Sequence, residues 1–152
     1  MQLRGYGRSQ KPQDITVLVM EIERWEWQYS LSRPRLAQHE VLDEGTELVL
    51  FGSMKIDDGR AIRKVELRCL PKGKITSPDQ WEERPYRVGD LYRGRSDFDG
   101  VLFIGSEALP SVIAMLAMGL YRKLDILAYK VDRQHMVVEH YEFQQTTRGS
   151  NR

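Results

Sequence analysis

Val112-Ile-Ala-Met-Leu-Ala-Met118 is an unbroken apolar run held between Ser111 and Gly119 in an otherwise polar chain. Leu109, Val112, Ile113, Leu116 and Leu120 recur at i, i+3, i+4, i+7 and i+11, which is one dry stripe of a helix. Pro110 suits a first turn, where its missing N–H costs nothing. Gly119 suits the C-terminal cap, and Ser106 stands where an N-cap could form, giving a helix over about 106–119. The flanking sequence has the period of strands and not of helices, so this is one buried helix among sheets.

The clearest strand pair flanks Asp57-Asp58-Gly59-Arg60. Asp-Gly favours a two-residue hairpin turn, because both central positions need a left-handed backbone. With Asp58 and Gly59 at the tip, Ile56 faces Ala61, Gly52 faces Val65, Leu50 faces Leu67 and Leu48 faces Cys69. Val49, Phe51 and Ser53 then face Arg68, Glu66 and Lys64. A slip of one residue would set apolar against charged side chains throughout.

Ile15–Leu31 holds consecutive Val17, Leu18, Val19 and Met20, then Trp25, Trp27, Tyr29 and Leu31 alternating with polar residues. That is a strand longer than usual, with a bend or bulge expected near Glu21–Arg24 and an end at Pro34. Asp99-Gly100 predicts a second hairpin, joining Asp90–Phe98 to Val101–Ile104. Leu124–Val131 and Met136–Phe143 predict a last antiparallel pair. Pro71–Gly89 reads as a long loop with one helical turn at Pro78–Glu83. The fold class is therefore α+β and β-dominated: an antiparallel β-sandwich or part-open barrel with one short buried helix in the C-terminal third. Residues 14–145 form a single β-rich domain, with a flexible arm at 1–13 and a flexible tail at 146–152.

The chain has 152 residues, 23 Lys plus Arg against 22 Asp plus Glu, and one cysteine. A net charge of +1 gives no long-range field for gripping phosphate. Cys69 has no internal disulfide partner and falls on the apolar face of its strand, which predicts a buried, inert thiol. No apolar leader follows the start and no run reaches the roughly 20 residues of a membrane span, so the expectation is a soluble, cytoplasmic protein.

No constellation carries a reaction. His39, His135 and His140 are scattered, and the last two point to opposite faces of one strand, so no metal ligand set is assigned. Asp97-Phe98-Asp99-Gly100 lacks the twelfth-position Glu of a calcium loop, which here is Ala108. Ser106 lacks the glycine spacing of a nucleophile elbow. No catalytic residue and no cofactor is assigned.

Two surfaces stay in play. Met115 and Met118 lie off the helix stripe and are a candidate protein interface, unless sheet or loop covers the helix on both sides. Trp25, Trp27 and Tyr29 are core by default, and with Arg93 and Arg95 form a candidate ligand platform. Arg84, Arg87, Arg93 and Arg95 lie among Tyr86, Tyr92, Glu82, Glu83 and Asp90, a mixture that usually pairs with itself in solvent. The leading expectation is a non-catalytic binding or assembly protein with a protein partner or a second copy of itself. The alternatives are a single-stranded nucleic-acid module with an oligonucleotide-binding type of barrel, and a small enzyme using dispersed carboxylates such as Asp90, Asp97 and Asp99.

Overall fold

The computed structural model describes residues 15–33, 43–56, 62–72 and 88–146. Among them seven strands and one helix follow in the order β1 (Ile15–Ser32), β2 (Asp43–Ile56), β3 (Ile62–Lys72), β4 (Gly89–Arg93), β5 (Asp97–Gly105), α1 (Leu109–Ala117), β6 (Tyr121–Lys130) and β7 (His135–Gln145). The strands close into a barrel in the order β1-β2-β3-β5-β4-β7-β6, with β6 returning to β1. The β-dominated, single-helix architecture stands in its barrel form, and closure is complete.

The β2–β3 register is the one the alternation dictates: Leu48 pairs with Cys69, Leu50 with Leu67, Gly52 with Val65 and Phe51 with Glu66. Leu48, Leu50, Met54, Val65, Leu67 and Cys69 are buried inside the barrel. Each large side chain there contributes about 2 kcal/mol by leaving water, so a one-residue slip would forfeit most of the interior of both strands. The Asp58-Gly59 tip and the Ile56–Ala61 pairing lie outside the described residues.

β1 is continuous past Ile22, and its register against β2 shifts between Ile22 and Arg24. Gly52 sits opposite this bulge, where an added Cβ would come within 1.8 Å of the Glu21 carbonyl oxygen. The glycine lets the two backbones approach at the bend.

The second hairpin differs from expectation. β5 runs straight through Asp99-Gly100, and the chain reverses at Gly94-Arg95-Ser96, with Arg93 paired to Phe98. Gly94 N–H donates to the Asp97 carbonyl at 2.7 Å. Gly100 is there for space and not for a turn, since a Cβ would lie 2.4 Å from the Asp90 carbonyl oxygen on the neighbouring strand. One neighbour pair is also parallel: β3 with β5, from Lys64–Asp97 to Lys72–Gly105. Every other pair is antiparallel.

The helix is shorter than predicted. Ala108 is its N-cap, with no side-chain cap, and Pro110 lies in the first turn, so Ser106 does not cap it. At the other end Leu120 N–H bonds to the Met115 carbonyl and Gly119 N–H to the Leu116 carbonyl, a Schellman ending with Gly119 at φ +71°. Leu109 and Leu116 are buried, and Val112 and Ile113 pack against the same core as Tyr121, Tyr141 and Phe143. The helix thus plugs the barrel end where β5 stops and β6 starts. At the opposite end Arg63 donates to the Gly94 and Arg95 carbonyls and lies over the Phe98 ring.

The proposed arm, the Pro78–Glu83 turn, Pro34, His39, Arg84 and Arg87 lie outside the described residues, as does all of the tail but Thr146. Among the described residues no helix is long and apolar enough to cross a membrane. The barrel is apolar within and carries its charges on the outer wall, the inverse of a lipid-facing barrel.

Candidate functional site: an aromatic ribbon beyond the barrel

A small barrel has an interior that side chains fill, and here Leu18, Met20, Leu50, Leu67, Leu91, Leu102, Leu124 and Ile126 are wholly buried in it. Binding chemistry therefore has to be sought on the outside and at the ends.

The strands do not all stop together. β6 pairs with β1 only as far as Glu21, and β3 pairs with β2 only from Leu48 onward. Beyond those points Gln28–Ser32 and Asp43–Glu47 pair with each other, Tyr29 with Thr46 and Leu31 with Glu44, and Trp27 stands at their root opposite Leu48. Pro71 lies on β3 just past the last pair with β2, and its missing N–H suits a strand leaving the ladder. The result is a two-stranded ribbon running on past the barrel wall.

Alternation continues along this ribbon, but the core does not. Trp25, opposite Leu50, still packs against the core. Trp27 is 49% exposed, Tyr29 52% and Leu31 55%, on the face continuous with the barrel interior. Tyr29 donates its hydroxyl to Glu44 Oε2 at 3.2 Å, and that bond to a carboxylate raises its pKa above the usual phenol value. A recess of about 650 Å³ opens beside Trp27 and Tyr29, bounded by Thr46, Glu47 and Leu70.

The arginines expected to complete the platform are elsewhere. Lys64 is level with Asp97, while Cys69, five residues on, is level with Leu48 and hence with Trp27. At about 3.3 Å per residue the β4–β5 turn carrying Arg95 is at least roughly 17 Å from Trp27, at the other barrel end. Arg93 is half-buried on β4 and Arg95 exposed in the turn. Trp25, Trp27 and Tyr29 share a face; Arg93 and Arg95 do not join them.

The carboxylates also separate. Asp97 and Asp99 project from β5 into an open groove of about 690 Å³, with Glu23, Arg24, Lys64 and Glu66 around it. Arg24 stacks over the Phe51 ring there and pairs with Glu26. Asp90 is instead nearly buried on β4, its Oδ1 2.7 Å from His135 Nε2. Tyr92 stacks on that imidazole at 4.9 Å, and Asp132 accepts from the Gln134 and His135 amides to fix the β6–β7 turn. This pair joins residues 45 apart in sequence, and no spacing could have signalled it. His140 is exposed near Glu142. Among the described residues no three His, Cys, Asp or Glu side chains gather as a metal site.

Cys69 is buried, and burial pushes its thiol up to about 12. Tyr141 is raised to about 12 as well, first by burial and then by Cys69 nearby, while its hydroxyl donates to the Phe103 carbonyl at 2.6 Å. At the C-cap of α1 Met118 is 64% exposed, and within the helix Met115 is half-buried. Comparison with family models, with curated proteins and with solved structures finds no match.

Proposed function

We propose that this protein is a binding or assembly module whose contact surface is the ribbon Trp27–Ser32 with Asp43–Glu47, and that the partner is protein. The observation that carries the reading is the half exposure of Trp27, Tyr29 and Leu31 on strands that outrun the barrel. A paired ribbon with one wet aromatic face gains about 25 cal/mol for each Å² of apolar surface it covers, and aromatic anchors dominate protein interfaces.

The local charge supports a protein partner over nucleic acid. Stacking platforms for single strands sit in basic grooves. The described side chains here include Glu44 and Glu47 and no Lys or Arg between Trp27 and Ser32 or Glu44 and Glu47. Arg68 on β3 lies 3.5 Å from Glu47. A polyanion approaching Trp27 would meet carboxylates first.

The test replaces Tyr29, and in a parallel sample the exposed Arg122 on β6, with a photo-crosslinking phenylalanine analogue. Irradiation in host extract is expected to give a discrete protein adduct from position 29, absent from position 122 and lost on adding Trp27→Ala. A nuclease-sensitive adduct would overturn the protein reading. So would tryptophan fluorescence quenched by a single-stranded oligonucleotide, relieved by salt and absent in Trp27→Phe.

A further inference from the structure

We infer that the ribbon's partner is a second copy of this chain, docked edge to edge along β1, an inference that rests on the assembly reading above. Beyond Glu21 the side of β1 facing away from β2 pairs with nothing among the described residues. Every second residue there turns a backbone N–H and C=O outward, which is a template for another strand.

The sequence of that edge is complementary to itself. Two copies set antiparallel about Gln28 bring Trp27 opposite Tyr29 and Trp25 opposite Leu31 on one face. On the other face Glu26 meets Ser30 and Arg24 meets Ser32, so no like charges oppose. Pairing about Glu26 would put the two Glu26 carboxylates together. Pairing about Trp27 would put Glu23 opposite Leu31. An odd shift would turn the aromatic face of one copy toward the polar face of the other. The length fits too. The free edge runs from the bulge at Ile22–Arg24 to Ser32, and in the Gln28 register the incoming Ser32 stops at Arg24, before the stretch that β6 covers. The arrangement is an isologous two-fold contact.

The experiment is sedimentation velocity on the purified full chain from micromolar to millimolar concentration, with Gln28→Glu and Gln28→Lys. Gln28 is exposed, and circular dichroism and melting of both variants check the fold. The wild type is expected to form a dimer. Each variant places like charges at the two-fold and should weaken association about two- to five-fold. An equimolar mixture of the two variants should regain it. A monomer at every concentration, or a dimer indifferent to position 28, overturns self-pairing. A monomeric chain that still gives a discrete protein adduct from position 29 in extract would sink self-pairing alone. A monomeric chain with no such adduct would sink the ribbon reading as well.

Discussion

Cys69 and Tyr141 show how burial sets side-chain chemistry at one barrel end. A thiol held up at about 12 stays protonated and closed to reagents at neutral pH. Ellman's reagent is expected to leave the native protein untouched and to label one thiol after denaturation; fast labelling of the native chain would show Cys69 to be accessible. Both groups have folded pKa values above their ordinary 9.0 and 10.0. Their contribution is whole below those values and is lost as pH climbs through the window to about 12, because the unfolded chain gives up its protons first. The melting temperature should therefore fall from pH 9 upward, and Cys69→Ala should lessen that slope. Gly52 is the other residue on which much depends. A Cβ there would collide with the Glu21 carbonyl, so Gly52→Ala should cost about 3 kcal/mol in urea unfolding by forcing the bulge apart.

Among the elements, α1 divides cleanly into a plugging face and an open one. Leu116→Ala should cost about 3 kcal/mol, since it hollows the contact that closes the barrel. Met118→Ser should change stability by less than about 0.5 kcal/mol, because that side chain stands mostly in water. Thermal melts of both would separate the roles. The helix was legible because its period differs from everything around it. So was the β2–β3 register, where β3 alternates apolar and charged residues from Lys64 to Cys69 opposite the apolar run of β2, and so was the β1 bulge, because the strand is too long to stay straight. The β4–β5 turn was not. Asp99-Gly100 has the composition of a hairpin tip, but Gly100 answers a demand for space set by Asp90 on another strand, and sequence does not display distant crowding. The ribbon was hidden for a related reason. Trp27, Tyr29 and Leu31 keep the alternation of core residues, and only the points where β3 and β6 leave their neighbours make them surface. The Gln28-centred complementarity, by contrast, lies in the sequence once the free edge is known.

For the whole molecule, closure governs what is left to bind. A closed barrel abolishes sheet edges, and this one pairs its strands all the way round, with β3 and β5 parallel. One long stretch of unpaired backbone among the described residues lies where β1 and β2 run past the wall, and that stretch also carries the exposed aromatic face. Backbone valence and apolar surface are thus left open together, which is what links the fold to the proposed assembly role. The most direct measurement is residue-resolved amide hydrogen exchange of Arg24–Ser32 at low and high protein concentration. Amides directed at β2 should be protected at both. The alternating amides on the free edge should exchange quickly in dilute solution and become protected as concentration rises. Free-edge amides that exchange equally fast at every concentration would contradict the account.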